Sequence, residues 1–408
     1  MVTDVEGLKA VSRTGAPDAN RIPELDGLRG LAILLVILCH YVGSAQHAEL
    51  GPWPHRVLSA FGAGWSGVDL FFVLSGFLIG RILLDARTAP SYFQAFYMRR
   101  VHRILPVYYS WILFYAVVVA AGIWLAPWGF SLPTSALRQI PIELLFLQNM
   151  QLGMPHFQWV WFAVTWSLAV EEQFYLIAPP LIRFLSPHKL VIVLVNTIVL
   201  APILRIIVFR YWLPHTFAAD FLMPCRADAL GWGILLALAW RNERFRSYLA
   251  KHPVVVQRTL GGLFLGCAIL VWWLARPRSI VTETIGYTWL AAFYACLLVT
   301  ALSQNETWVA RVLRWRPLRR LGVVSYCVYI IHLAANHFMH EVVLHAAPQI
   351  YNLNGVAVTL LALGLTLGVA SISWVYFEKP VIRRGHRYKY WSEGKPEAAE
   401  LLARAESE

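Results

Sequence analysis

Arg-Gly-Leu-Ala-Ile-Leu-Leu-Val-Ile-Leu-Cys-His, residues 29–40, is the first strongly apolar run of the chain, and it has an arginine at its entrance and a histidine inside it. A helix turns by about 100° and rises about 1.5 Å per residue, so Arg29 and His40 lie within about 20° of one face and roughly 16 Å apart along the axis. If Arg29 sits at a membrane interface, His40 lies near mid-membrane. An ionisable group at that depth is a candidate functional site by default.

The composition of the chain is that of a membrane protein. Of its 408 residues, 58% are hydrophobic and only 14% are charged, whereas about a quarter of a soluble protein is charged. Several apolar segments reach the roughly 20 residues that a bilayer span requires. The net charge of +12 does not indicate nucleic-acid binding, because the basic residues lie between the apolar segments, where they set orientation. We expect a lipid bilayer, and no nucleic acid, as a partner.

The apolar segments predict an all-α polytopic transmembrane helical bundle of about ten spans. A further stretch, residues 140–150, is too short to span and contains Pro141, Glu143 and Asn149, so we expect a short re-entrant or interfacial helix there. The predicted spans are residues 28–46, 64–84, 103–126, 165–185, 190–213, 225–240, 255–275, 284–304, 322–345 and 353–377.

The basic residues predict the orientation of this bundle. With ten spans and a cytoplasmic amino terminus, most arginines and lysines fall in inner loops, as the positive-inside rule requires, whereas a span at 140–150 would turn them outward. We therefore predict a multi-pass protein of the inner (cytoplasmic) membrane with both termini cytoplasmic. Its parts are an N-terminal tail, residues 1–27, a transmembrane domain, residues 28–380, and a C-terminal tail, residues 381–408. The N-terminal tail has no apolar segment before a cleavage site, so we expect the first helix to be an uncleaved anchor.

His40 has two interpretations. An isolated intramembrane histidine is commonly a neutral imidazole bonded to a backbone carbonyl or a serine. A neutral histidine with an ordinary pKa near 6.5 is also the standard general base for deprotonating a hydroxyl. The aligned Arg29 and the other buried polar groups favour the catalytic interpretation.

Asp69, Glu171 and Glu172 are carboxylates that lie within predicted spans. Asp69 is in the outer part of the second span and must be paired or solvated there, so it would orient His40 or pair with an arginine. Glu171 and Glu172 are adjacent in the fourth span and point about 100° apart, so both cannot face one cavity equally well. A catalytic or substrate-binding role for one of them is favoured over a purely structural one.

The run Arg99-Arg100-Val101-His102-Arg103 lies at the predicted cytoplasmic start of the third span. It is either a positive-inside anchor or a phosphate clamp. Arg100 and Arg103 are at i, i+3 on one helical face, an arrangement that suits a polyanion such as the phosphates of coenzyme A.

Candidate acceptor-binding residues lie toward the outer side. Trp166 closes an aromatic segment, residues 156–166, which is either an interfacial belt or a stacking surface for a sugar. Arg226 and Asp228 stand at the outer end of the sixth span, where an ion-pair network explains them as well as acceptor binding does. Arg205, in the fifth span, is a possible partner for a buried carboxylate. His332, in the ninth span, is a further candidate for substrate contact.

Other common site types are not indicated. His337 and Glu341 are at i, i+4, a spacing that permits a metal, but no open-site zinc signature is present and we expect no metal. The chain has no Gly-x-Ser-x-Gly elbow, P-loop or dinucleotide fingerprint.

Taken together, six stretches resemble the acyltransferase-3 family of integral membrane O-acyltransferases, and they occur in the family's order between about residues 22 and 382. As a set they are specific, although any one alone would be weak. They are Glu24–Gly30 leading to His40, Gly67–Gly76, Arg99–Pro106, Trp166–Tyr175, Arg226–Asp228, and Ser325-Tyr326 leading to His332.

The resemblance implies a function for the domain at residues 28–380. Arg29 and His40 match the family's Arg-x10-His pair, and Arg100 and Arg103 match its Arg-x-x-Arg pair. The implied donor is an acyl-CoA, usually acetyl-CoA, reached from the cytoplasm. The implied acceptor is a hydroxyl of a carbohydrate, glycolipid or glycosylated small molecule on the other side. Some members carry an esterase-like domain after the membrane part, and with about 30 residues after the last span we expect none here.

On this reading Arg100 and Arg103, with Arg99 beside them, hold the coenzyme A phosphates. Arg29 assists there or stabilises charge developing at the thioester, and His40 acts as general base or carries the acyl group transiently. The rival class is a transporter or flippase, in which the same buried charges form a proton or substrate path. Inverted repeats and paired broken helices would favour that class, and the sequence shows neither convincingly.

Overall fold

A computed structural model of the protein describes residues 22–46, 48–125, 139–151, 161–213, 216–270, 280–304 and 307–391. Within these ranges the chain forms helices and turns, with an isolated β-bridge between Gln46 and Gln349 and no strand. The helices are α1 (Pro23–Leu38), α2 (Pro52–Ala60), α3 (Gly67–Asp85), α4 (Tyr92–Leu125), α5 (Ile140–Leu144), α6 (Gln148–Gln151), α7 (Trp166–Phe184), α8 (Pro187–Ile207), α9 (Ala218–Phe221), α10 (Met223–Arg241), α11 (Glu243–Lys251), α12 (Pro253–Ile269), α13 (Tyr287–Ser303), α14 (Trp308–Leu313), α15 (Arg316–Leu344), α16 (Leu353–Ser373) and α17 (Lys379–Gly385).

Eight helical segments of the described residues are long and apolar enough to cross a bilayer, and they contain α1, α3, α4, α8, α10, α13, α15 and α16. The other two predicted spans correspond to α7, which carries Glu171, Glu172 and Arg183, and to α12, which is 17 residues long. The protein is therefore a polytopic helical membrane protein, as predicted. Its eight clear spans are accompanied by one helix that is more polar and one that is shorter.

Local sequence accounts for several helix starts. Side-chain oxygens of Ser186, Asn242, Thr307 and Asn352 accept backbone N–H groups in the first turns of α8, α11, α14 and α16, respectively. These caps satisfy backbone donors that have no partner inside the helix.

Helices α1 and α3 lie at the centre of the bundle, where α1 packs against α15 and α3 against α10. Glycines allow the closest approach between α1 and α15. A β-carbon added at Gly30 would lie 1.9 Å from the backbone oxygen of Leu318, and one added at Gly322 would lie 1.9 Å from that of Asp26. This crossing fixes α1, and hence Arg29, against the start of α15.

The stretch predicted to be short is indeed short, because residues 140–150 fall in the two brief helices α5 and α6. The carboxylate of Glu143 is buried there and accepts hydrogen bonds from the Tyr108 hydroxyl at 2.6 Å and the Thr165 hydroxyl at 3.0 Å. The segment is thus bonded into the protein through polar side chains.

Both predicted tails are partly folded into the bundle. Helix α1 begins at Pro23, and the tail residues Glu24 and Asp26 are buried in it, where they pair with Arg314 and Arg29. At the other end, α17 continues to Gly385, and the chain then runs back along the start of α4. The remaining parts of the tails, residues 1–21 and 392–408, lie outside the described residues.

Candidate functional site

A cavity of about 300 Å³ lies between α1, α3, α4, α7 and α15. On α3 its lining runs from Val68 to Ile82, so at 1.5 Å per residue it extends roughly 21 Å along that helix. The polar residues that line it are Arg29, Ser75, Arg100, Arg103, Ser167, Glu171, Glu172, Tyr175, Ser325, Tyr326, Tyr329 and His386. The cavity therefore joins a charged end to an aromatic and hydroxyl-bearing end.

Three arginines, Arg29 from α1 and Arg100 and Arg103 from α4, form the charged end of the cavity. Arg103 has both of the others as electrostatic neighbours. Within the described residues neither Arg100 nor Arg103 forms an ion pair, and the buried Nε of Arg100 has no hydrogen-bond partner. Three neighbouring guanidinium groups, of which Arg100 and Arg103 form no ion pair with a carboxylate, make a site that fits a polyanion.

Arg99 does not line this cavity. Its Nε donates to the backbone oxygen of Tyr388 at 2.8 Å, and its guanidinium lies 4.8 Å from the centre of the Tyr390 ring. Successive helical residues point about 100° apart, so Arg99 faces the C-terminal segment while Arg100 faces the cavity. The structure therefore places Arg99 outside the cavity lining, apart from Arg100 and Arg103, with which the sequence motif groups it.

Both adjacent carboxylates of α7 line the cavity, and they differ in their partners. Glu171 accepts hydrogen bonds from the Ser75 hydroxyl at 2.6 Å and the Tyr175 hydroxyl at 3.0 Å. The buried Oε1 of Glu172 has no partner in the described structure. Neither carboxylate forms a hydrogen bond with His40 in the described structure.

His40 lies in a π-helical turn, Cys39–Gly43, that continues α1, and such turns are frequent at functional sites. Its Nδ1 is 2.9 Å from Nε2 of His332 on α15, and the two ring centroids are 5.0 Å apart. His40 is half-buried and His332 is fully buried. The residue that orients His40 is therefore His332, which sequence reasoning had placed with the substrate-binding residues.

The hydrogen bonds of His332 define which nitrogen of His40 is basic. Nδ1 of His332 lies 2.8 Å from the oxygen of Tyr329 and 3.1 Å from that of Val328, and carbonyl oxygens only accept, so this Nδ1 carries the proton. In a neutral ring Nε2 of His332 then accepts from Nδ1–H of His40. The lone pair of His40 consequently lies on its Nε2, the nitrogen that can take a proton.

Tyr329 links this histidine pair to the cavity. It lines the cavity, its ring centroid is 5.9 Å from that of His332, and its hydroxyl is 2.6 Å from that of Ser167. The pair thus lies just beyond the aromatic end of the cavity, while Arg29 lies at the other end, three turns before His40 on α1.

Two buried ion pairs account for the remaining charged candidates. Asp69 pairs with Arg226 at 2.6 Å, and Asp228 pairs with Arg205 at 3.0 Å, all four being at most 2% exposed. The guanidinium of Arg226 also lies 3.8 Å from the centre of the Tyr287 ring. Of the open alternatives for Asp69, pairing with an arginine is confirmed, and Arg205 is confirmed as the partner of a buried carboxylate.

The aromatic segment is only partly described, because Phe157 and Trp159 lie outside the described residues. Trp161 stacks on Trp111 with ring centroids 5.6 Å apart, and Trp166 packs edge-on against Phe72 at 6.0 Å. These described rings contact other parts of the protein, and neither Trp161 nor Trp166 lines the cavity.

Two features of the site were missed by sequence reasoning. One is the tautomer-setting role of His332, for which its place in the Ser325–His332 motif was the available signal. The other is His386, which lines the cavity from a segment predicted to be a tail. In the part of the chain that the structure describes, no three histidine, cysteine, aspartate or glutamate side chains come together as metal ligands would.

Comparisons with known proteins agree with these motifs. A family described as "Acyltransferase domain" matches residues 22–375. The chain is 24% identical over 411 residues to the peptidoglycan O-acetyltransferase OatA of Listeria monocytogenes serovar 1/2a, an alignment that covers 92% of this chain and 58% of the relative. It is 26% identical over 403 residues to the O-acetyltransferase OatA of Staphylococcus aureus, in an alignment that covers 94% of this chain and 60% of the relative. The chain thus spans about three fifths of the length of these relatives. No solved structure matches it significantly.

Proposed function

Because the chain belongs to the acyltransferase-3 family, we propose that it transfers an acetyl group from acetyl-CoA to a hydroxyl group of a glycan. The observation that carries this proposal is the arrangement of the site, in which three arginines open a cavity whose far end adjoins the His40–His332 pair. Such a site offers both parts that the reaction needs, a polyanion-binding end and a base.

The donor would bind with its phosphates at the arginine end. Within the described residues neither Arg100 nor Arg103 forms an ion pair, and the buried Nε of Arg100 lacks an acceptor that a phosphate oxygen would supply. Arg29 lies about 16 Å from His40 along α1, so it serves the phosphates and not the thioester. Arg99, which binds the C-terminal segment, would support this end without touching the donor.

His40 would act as the general base in a direct transfer. Its Nε2 takes the proton of the acceptor hydroxyl while the hydroxyl oxygen attacks the thioester carbonyl carbon. The carbon–sulfur bond of the resulting tetrahedral intermediate then breaks, and His40 returns the proton to the departing thiolate. The products are an acetyl ester and free coenzyme A. Throughout the reaction His332 acts as a positioning residue, because its hydrogen bond keeps His40 in the tautomer with the lone pair on Nε2.

The carboxylates Glu171 and Glu172 would balance the arginines at the donor end. Glu171 is fixed by Ser75 and Tyr175 within the electrostatic reach of Arg103, so it orients the guanidinium groups. The Asp69–Arg226 and Asp228–Arg205 pairs would hold α3, α8 and α10 in register around the cavity. Trp166 belongs to this framework through its contacts with Phe72 and Arg226.

The acceptor would approach His40 from the side opposite the arginines. The positive-inside distribution of basic residues favours a cytoplasmic arginine end, on the side where acetyl-CoA is found, with the acceptor on the opposite side. Two relatives carry the name O-acetyltransferase, and one of them is named for peptidoglycan. A sugar of peptidoglycan is therefore the first acceptor to test.

The proposal is tested with purified protein in liposomes, acetyl-labelled acetyl-CoA and peptidoglycan fragments. We expect labelled ester with the unaltered protein, a loss of about 10²- to 10⁴-fold with His40→Ala, and no loss with the exposed control His252→Ala. Near-normal transfer by correctly folded His40→Ala protein would refute the role of His40. Movement of the substrate across the bilayer without an acetylated product would support the transporter instead.

A further inference from the structure

The chain after α17 forms a strap, residues 385–390, along the start of α4. Gly385 lies so close to α4 that a β-carbon there would be 2.8 Å from Cβ of His102. Beyond it, Arg99 binds the backbone oxygen of Tyr388 at 2.8 Å, and the backbone N–H of Ser91 donates to the oxygen of Tyr390 at 3.4 Å. Polar and packing contacts therefore hold the strap at both of its ends.

The strap places His386 at the mouth of the cavity. His386 lines the cavity together with Arg29, Arg100 and Arg103, and part of its side chain remains exposed to solvent. Within the described residues no carboxylate forms an ion pair with it. The charges that act most strongly on His386 are those of Arg99, Arg103 and Arg100, which make this an unfavourable place for a cation until an anion arrives.

We propose that His386 binds a phosphate group of the donor and takes up a proton when it does so. The ligand chemistry is a phosphate monoester or diester, held jointly by Arg100, Arg103 and the imidazole. This inference rests on the proposed acyl-CoA donor and deepens it, because it assigns a phosphate contact to the C-terminal strap.

The electrostatics of the strap support proton uptake. Partial burial, together with the charges of Arg99, Arg103 and Arg100, holds the pKa of His386 below its ordinary value, which favours the neutral imidazole in the free protein. A bound phosphate would raise that pKa. The contribution of His386 to binding is therefore largest at low pH and declines as pH rises through the pKa that His386 has in the complex.

The titratable and charged groups around the mouth of the cavity are Arg29, Arg99, Arg100, His102, Arg103, Glu171, Glu172, Tyr175, Tyr326 and Glu378.

The test measures the affinity of the purified full-length protein for coenzyme A and for phosphate-free pantetheine at about pH 6 and about pH 8. We expect His386→Ala to weaken coenzyme A binding about 3- to 10-fold at the lower pH and to leave pantetheine binding unchanged. His386→Gln, which cannot be protonated, should match the unaltered protein more closely at the higher pH. Arg387→Ala, an exposed basic neighbour that does not line the cavity, is the matched control and should bind normally.

Calorimetry in two buffers of different ionisation enthalpy counts the protons taken up on binding. The phosphates of coenzyme A titrate in the same range, so the decisive quantity is the difference between the unaltered protein and His386→Ala. Equal affinity and equal proton uptake in the two proteins would overturn the inference and leave the proposed donor standing. Failure of the unaltered protein to bind coenzyme A would overturn the proposed function itself.

A double-mutant comparison tests the strap. Arg99→Ala should release Tyr388 and weaken coenzyme A binding, and in a His386→Ala background it should cause no further loss, because both changes remove the same contact. Fully additive losses in proteins with unchanged thermal unfolding would contradict positioning of His386 by Arg99.

Discussion

The hydrogen bond between His40 and His332 leads to the most specific prediction. His332→Leu removes the acceptor for Nδ1–H of His40, which releases the ring from the tautomer with its lone pair on Nε2. Loss of a 2.9 Å bond to a fully buried acceptor costs about 1–3 kcal/mol. At about 1.4 kcal/mol per factor of ten, we expect kcat/KM for acetyl transfer to fall about 5- to 150-fold. The KM for acetyl-CoA should not change, because His332 does not line the cavity.

His332→Gln is the diagnostic companion of this change. A glutamine oxygen reaches the position of the imidazole Nε2 and accepts the same bond, so this variant should recover most of the lost kcat/KM. His340→Leu is the control, because His340 is equally buried on α15 and bonds Thr359 at 2.9 Å, outside the site. The assay is initial-rate acetyl transfer in liposomes, with thermal unfolding of each variant measured in parallel. If His332→Leu keeps more than half of the normal rate, or if His332→Gln falls as far as His332→Leu, the tautomer argument is wrong.

Three further predictions concern the donor site and the packing. Arg103→Ala should raise the KM for acetyl-CoA about 10-fold or more, because a phosphate contact is lost, whereas the surface control Arg81→Ala should leave the KM unchanged. Equal KM values for the two variants in a kinetic titration would contradict the assignment of Arg103 to the phosphate site. Gly30→Ala should lower the free energy of unfolding by about 1–3 kcal/mol, because the new β-carbon would lie 1.9 Å from a backbone oxygen of α15. Gly364→Ala, where a β-carbon meets open space, is the control and should leave the thermal unfolding temperature unchanged. Asp69→Ala should lower the free energy of unfolding by about 3–5 kcal/mol, because it leaves the buried charge of Arg226 without its partner. An unchanged unfolding temperature would contradict that pairing.

The helical membrane class and the main site motifs were predictable from the sequence, because each rests on local properties. Long apolar runs predict spans, and the arginines at i, i+3 predict a shared face, which the cavity confirms for Arg100 and Arg103. The polar character of α7 also followed from Glu171 and Glu172. Eight of the ten predicted spans are long and apolar in the structure, and the other two correspond to the more polar α7 and the shorter α12.

The partners of these residues were not predictable, because they depend on which helices meet. His40 and His332 are 292 residues apart, and Asp69 and Arg226 are 157 apart, so no local spacing relates them. Arg99 shows the same limit on a smaller scale, since its direction is set by the C-terminal strap. Residues 381–391 belong to the stretch predicted as a cytoplasmic C-terminal tail, although α17 and the strap pack against α4.

The most direct test of the whole account is an experimental structure of the protein with a non-transferable thioether analogue of acetyl-CoA. We predict that the phosphates contact Arg100 and Arg103 and that the acyl carbonyl carbon lies beyond Tyr329, near His40. An acceptor oxygen placed about 3 Å from that carbon should then be within hydrogen-bonding distance of Nε2 of His40. Phosphate density away from these arginines, or an acyl group out of reach of His40, would contradict the central claim.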